Sequence, residues 1–147
     1  MTDNMPILLV EDDIVDVKTV QRAFKENHIV NPLYTAGNGQ MALEFLRREG
    51  RFANPETSPR PGIILLDLNM PVMNGIEFLK AVKADEELKS IPVVVLTTSK
   101  EENDRFASYN LGIAGYIVKP VEFDKFVEAI KTIKMYWSLC QLPHTEE

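Results

Sequence analysis

The chain has 147 residues, 45% hydrophobic and 26% charged, with a formal net charge of -6. That is enough for one domain with a real core, and the acidic balance argues against nonspecific binding to nucleic acid or an anionic membrane, which needs clustered Lys and Arg. The lone Cys140 excludes an internal disulfide and a four-thiolate zinc site; no apolar run approaches the roughly 20 residues of a membrane span, no basic-then-apolar leader is present, and a cytoplasmic protein is expected.

Pro6 to Val10 is a short apolar run that ends in three acids, Glu11, Asp12 and Asp13. From Asp16 the spacing turns helical, with Val17, Val20 and Phe24 recurring; Asp13 is placed to cap that helix and Asn27 to end it. Pro32 to Ala36 reads as a second strand, closed by Gly37-Asn38-Gly39, and Ala42, Phe45 and Leu46 mark a second helix ending near Gly50. Residues 51–61 carry Asn54, Pro55, Thr57, Ser58, Pro59 and Pro61, which suits a mobile surface loop within one domain. Ile63 to Leu66 is a continuous apolar run that meets a single acid, Asp67, as expected of a strand buried on both faces. Asn74-Gly75 then turns the chain into a third helix carrying Ile76, Leu79 and Val82. Pro92 to Leu96 is a fourth strand, ending in Thr97-Thr98-Ser99. Phe106, Ser108 and Leu111 accompany a fourth helix closed by Gly112. Gly115 to Val118 is a fifth strand ending in Lys119-Pro120, and the last helix runs from Phe123 to about Leu142.

Apolar strands alternating with amphipathic helices predict an α/β fold, a parallel sheet covered on both faces. All strand ends of one polarity then lie together, and ligands collect at that edge. Four polar clusters end strands here: Glu11-Asp12-Asp13, Asp67, Thr97-Thr98 and Lys119-Pro120; the second strand brings nothing ionisable. Several carboxylates in one cleft repel strongly without a cation. Their oxygens suit a hard divalent ion such as Mg²⁺. Carboxylates, Mg²⁺, Lys119 and the Thr97 hydroxyl would clamp the oxygens of a transferring phosphoryl group, with Asp67 as the nucleophile.

These pieces, LLVEDD, LLDLNMPVMNG and GYIVKP, each at a strand end, resemble the receiver domains of two-component response regulators over nearly the whole chain. The resemblance implies the flavodoxin-like receiver fold, a five-stranded sheet in the order 2-1-3-4-5, as a single receiver domain over residues 1–147. It also implies that Asp67 is the phospho-acceptor and that Glu11 and Asp12 form the acidic pair at the metal. Asn69 would add its backbone carbonyl to that metal, Lys119 would contact the phosphoryl group, Thr97 would move toward it, and Tyr116 would swing inward as the aromatic switch. Asp13 is not assigned to the metal.

Plainer roles exist for each. Asp13 can serve only as a helix cap, Lys119 can be a solvated lysine, Thr98 and Ser99 compete with Thr97, and an aromatic such as Tyr116 ordinarily packs on a sheet. His28 and His144 share no spacing with a ligand or base and are read as surface residues.

Two segments exceed a minimal receiver: the loop at 51–61 and the C-terminal helix with its tail, 123–147. Phe126, Ile130, Ile133 and Trp137 follow one helical face and should pack on the sheet. Met135, Tyr136, Leu139 and Leu142 fall partly off it, an apolar surplus that suggests a contact surface and a homodimer. Both extensions resemble the small receivers that partner phytochrome-type histidine kinases, especially those of cyanobacteria. No DNA-binding or enzymatic module follows, so the expected function is a single-domain response regulator. It would accept phosphate from a histidine kinase and signal by contact with a downstream protein, without turning over a separate substrate. The alternatives are a carrier in a phosphorelay, passing phosphate to a phosphotransfer protein, and an aspartyl-nucleophile phosphate-ester hydrolase. The last usually needs an acid two residues past the nucleophile, where this chain has Asn69.

Overall fold

A computed structural model describes residues 5–68, 70, 73–97, 110–118 and 122–139, the last four by backbone alone. Five strands, β1 (Ile7–Val10), β2 (Leu33–Ala36), β3 (Ile63–Asp67), β4 (Val93–Thr97) and β5 (Gly115–Val118), alternate with helices. Among the described residues the α-helices are α1 (Ile14–Glu26), α2 (Gly39–Arg47), α3 (Gly75–Ala84) and α4 (Phe123–Leu139). The strands form one parallel sheet in the order β2-β1-β3-β4-β5, as the resemblance implied.

Prolines set where the strands begin. Proline has no N–H to give a ladder, so it belongs at the first position of a strand, where its carbonyl still accepts. The Ile7 N–H donates to Pro32 O at 2.8 Å, the Gly62 N–H to Pro6 O at 2.9 Å, and the Ile64 N–H to Pro92 O at 2.9 Å. Strands of nearly equal length that start level also end level. Val10 is thereby paired with Leu66, Asp67 with Leu96, and Thr97 with Val118. The polar residues that follow are delivered to one edge.

Alternation across the sheet divides the core in two. Leu8, Val10, Ile64, Leu66, Val93 and Val95 face α2 and α3, packing with Leu43, Phe45, Leu46, Phe78, Leu79 and Val82. Ile7, Leu9, Ile63, Leu65, Val94, Leu96 and Ile117 face α1 and α4, with Val17, Val20, Phe24, Phe126 and Ile130. Each fully buried aliphatic or aromatic side chain contributes about 1.5–3 kcal/mol, which is why the three central strands tolerate no polar residue before their ends. Ile133 packs partly on the second cluster, as its helical face predicted; the side chain of Trp137 lies outside the described residues.

The helix ends follow their sequence signals with one exception. Asp13 caps α1, accepting from the Val15 N–H at 2.8 Å. Asn27 ends it and ties it to α4, its amide donating to Ala23 O and Val127 O, while Lys134 Nζ donates to Asn27 O at 3.1 Å. The second helix, expected to run to about Gly50, stops at Arg47. Arg48 takes the left-handed conformation (φ 56°) usually left to glycine, at a cost of about 1–2 kcal/mol. Its guanidinium Nε donates to Ser58 O at 3.1 Å, and that contact offsets the strain. Within the 51–61 segment, read as a loop, Gly50–Phe52 opens a short 3-10 turn and Ser58 is buried. Of the expected fourth helix, Phe106 and Ser108 lie outside the described residues, whereas Leu111 and Gly112 are described and lie in no helix, Leu111 packing partly on the first cluster. No helix among those described is long and apolar enough to cross a membrane.

Candidate functional site

Three carboxylates meet at the level edge of the sheet. Asp67 closes β3, and Glu11 follows β1 one step beyond the Val10–Leu66 pair, so both leave adjacent central strands side by side. Glu11 is held there by its backbone, whose N–H donates to Ala36 O of β2 at 3.0 Å. Asp12, next along, is exposed. One oxygen from each of Glu11, Asp12 and Asp67 lies within 4.8 Å of the others. Glu11 and Asp67 are each only 3% exposed.

Two unit negative charges at that spacing repel by roughly 3 kcal/mol even at an effective dielectric constant of about 20. An arrangement of three, two of them buried, is costly unless a positive charge neutralises it. Oxygen-only donors with one face open to water fit a hard divalent cation that keeps part of its water shell. Asp13 belongs to a different task. Its side chain caps α1 and its N–H donates to Glu11 Oε2 at 3.4 Å, so it steadies one member of the cluster without joining it.

Thr97 closes β4 beside Asp67 and is fully buried. Its strand partner is Val118, the last residue of β5. Lys119 lies outside the described residues, as do Asn69, Thr98 and Ser99. Tyr116 stands on β5 and is 43% exposed. Met135 on α4 is 56% exposed; Leu142 and the side chains of Tyr136 and Leu139 are outside the described residues. Of the residues expected at the site, Glu11, Asp12, Asp67 and Thr97 are thus brought to one edge; Tyr116, expected as the switch, and Met135, expected at an interface, are exposed.

Sequence reasoning passed over the two glycines that shape this edge. Gly75, the first residue of α3, donates its N–H to Leu68 O at 3.0 Å; a Cβ there would lie 2.7 Å from Leu68 Cα and 2.9 Å from Asp67 O. Gly39, the first residue of α2, is packed as tightly against Met73. Each follows an asparagine that caps its helix, Asn74 and Asn38, and an Asn-Gly pair reads in sequence only as a turn.

The response regulator receiver domain family model matches residues 7–131 of this chain. Response regulator Rcp1 of Synechocystis is 41% identical over 131 residues, spanning 89% of this chain and 87% of that protein. The crystal structure of the phosphorylated cyanobacterial phytochrome response regulator RcpA matches with a TM-score of 0.84 at 39% identity, covering 95% of this chain and 99% of that one. The Mn²⁺-bound form of Rcp1 matches with a TM-score of 0.81 at 40% identity, over 95% and 99% of the two chains.

Proposed function

The chain belongs to the response regulator receiver domain family, and from that premise we propose that it is a signalling switch phosphorylated on Asp67 by a histidine kinase in a Mg²⁺-dependent reaction. The observation that carries this reading is the cluster of Glu11, Asp12 and Asp67, with oxygens within 4.8 Å of one another at the end of the central strands. Asp67 is the member that ends a strand between the other acids and Thr97, the position of a nucleophile flanked by its helpers.

Glu11, Asp12, Asp67 and the backbone carbonyl of Asn69 are the proposed metal ligands. A bound Mg²⁺ supplies the positive charge that offsets the carboxylates and the incoming phosphoryl oxygens. An Asp67 carboxylate oxygen attacks the phosphorus of a phosphohistidine; the P–O bond forms as the P–N bond breaks, and the departing imidazole keeps the electron pair and takes up a proton. Lys119 contacts the transferred group, and the Thr97 hydroxyl donates a hydrogen bond to it. Tyr116, exposed in this state, turns inward as Thr97 moves. Because RcpA is a phytochrome response regulator, a phytochrome-type kinase in the cytoplasm is the partner we favour. The signal leaves through protein contacts, among them a homodimer involving Met135, Tyr136, Leu139 and Leu142, and no separate substrate is turned over.

Mass spectrometry after incubation with a small phosphodonor and Mg²⁺ tests the acceptor. One added phosphoryl group is expected in the natural chain and none in Asp67→Asn. An adduct that persists in the variant overturns the assignment.

A further inference from the structure

The second strand brings no ionisable group to the edge, yet the turn after it packs closely against Met73, beyond Asp67. The Gly39 N–H donates to Met73 O at 3.2 Å. A Cβ built on Gly39 would lie 2.7 Å from that same carbonyl oxygen and 2.7 Å from Met73 Cγ. Gly39 has no positive φ, unlike Gly50 and Gly112, so a glycine stands there for room and not for an unusual turn. The first N–H groups of a helix lack partners within it. Here α2 directs its first N–H to the loop that follows Asp67.

Met73 is in turn rigidly joined to the acceptor. Asn74 and Glu77 form a reciprocal capping box, with N–H to side-chain bonds of 2.9 and 3.1 Å, which fixes residues 74–77 as the start of α3. Gly75 then abuts the backbone of Leu68 and Asp67, at distances that leave no space for a methyl group. A displacement of the Met73 carbonyl therefore passes through Asn74 and Gly75 to Asp67. We propose that the Asn38-Gly39 junction is a positioning element for phosphoryl acceptance, seating the Met73 carbonyl and thereby the Leu68–Asp67 backbone. The proposal rests on Asp67 being the acceptor.

Gly39→Ala tests it, with Gly37→Ala as control. A Cβ at Gly37 meets only Met41 Sδ at 3.8 Å, an ordinary contact. At Gly39 the carbonyl must retreat by roughly 0.7 Å to reach ordinary contact. Misplacement near 1 Å can slow a reaction by up to about a hundredfold, so a fall of about tenfold in phosphorylation rate at saturating phosphodonor is expected. Mg²⁺ affinity measured by calorimetry should weaken, and in the metal-free protein the amide resonances of Leu68 and Gly75 should shift. Gly37→Ala should match the natural chain in all three. A glycine needed only for folding would lower the unfolding midpoint and leave the rate per folded molecule unchanged; that result overturns the proposal. Should Gly39→Ala not fold, Asn38→Ala removes the side-chain acceptor for the Met41 N–H, now at 2.8 Å, and loosens the same helix end without adding atoms. A slower rate in that variant supports the role, and a rate equal to Gly37→Ala overturns it. If the natural chain gains no phosphoryl group on Asp67, the acceptor assignment falls first; if it does while Gly39→Ala keeps pace, only the positioning role falls.

Discussion

At the centre of the sheet every residue of β1, β3 and β4 is buried. At its β5 edge only Ile117 is, while Tyr116 and Val118 face outward and Met135 stands exposed on α4. The centre concentrates repelling charge and holds it with level strands, capped helices and close glycine contacts. The edge spends little on rigidity and leaves apolar surface in water. The proposed chemistry, which depends on distances of a few tenths of an ångström, sits where the core is most fully buried. Surface available to a partner sits where a rotamer can change at small cost to the core.

The sharpest way to break this contrast is at Asp67 itself. Asp67→Asn should abolish phosphoryl incorporation, and without divalent cations it should stabilise the fold by about 1–3 kcal/mol, because one charge of a repelling cluster is gone. Thermal unfolding in chelator checks the second point; a variant less stable than the natural chain would mean the carboxylates are neutralised within the protein. The core gives the second test. Ile64→Ala should cost about 2–5 kcal/mol in urea denaturation, whereas Val118→Ala should fall within about 1 kcal/mol of the natural chain. Equal losses would erase the distinction between centre and edge. Smaller again is the cation's contribution. At a hundred times its Kd, Mg²⁺ should raise unfolding free energy by about 2.7 kcal/mol. Asp12→Asn should remove most of that gain, and Tyr116→Ala none of it.

The centre was the more legible half of the molecule from sequence. Buried parallel strands are uninterrupted apolar runs, so Glu11, Asp67 and Thr97 stand out as the residues that break them, and proline marks where β1, β2 and β4 begin. Contacts between distant residues left weaker traces. Arg48 occupies a left-handed helix end without a glycine to announce it, because its guanidinium finds Ser58 O ten residues on. Ser58, in a proline-rich stretch that reads as exposed, is buried and its carbonyl accepts that hydrogen bond. The Gly39–Met73 contact joins residues 34 positions apart through one N–H and the absence of one methyl group; a missing side chain has no hydrophobic pattern to betray it.

The smallest effects on the fold, and the largest on association, belong to the edge. Ile14, Val15, Val30, Tyr116, Val118 and Met135 are the large hydrophobic residues exposed among those described, and three of these six lie on β5 and α4. A side chain already in water contributes little to the core, so Met135→Lys should shift stability by no more than about 0.5 kcal/mol. The same substitution would place a charge in any contact made there. Sedimentation should show the natural chain forming dimers as concentration rises, more readily with a phosphoryl mimic at Asp67. Met135→Lys should weaken that association by about tenfold, near 1.4 kcal/mol. A natural chain that stays monomeric in both states ends the dimer reading. Dimers that survive Met135→Lys but not Val15→Lys would instead move the contact to the start of α1, beside the acids, and place chemistry and partner surface in the same region.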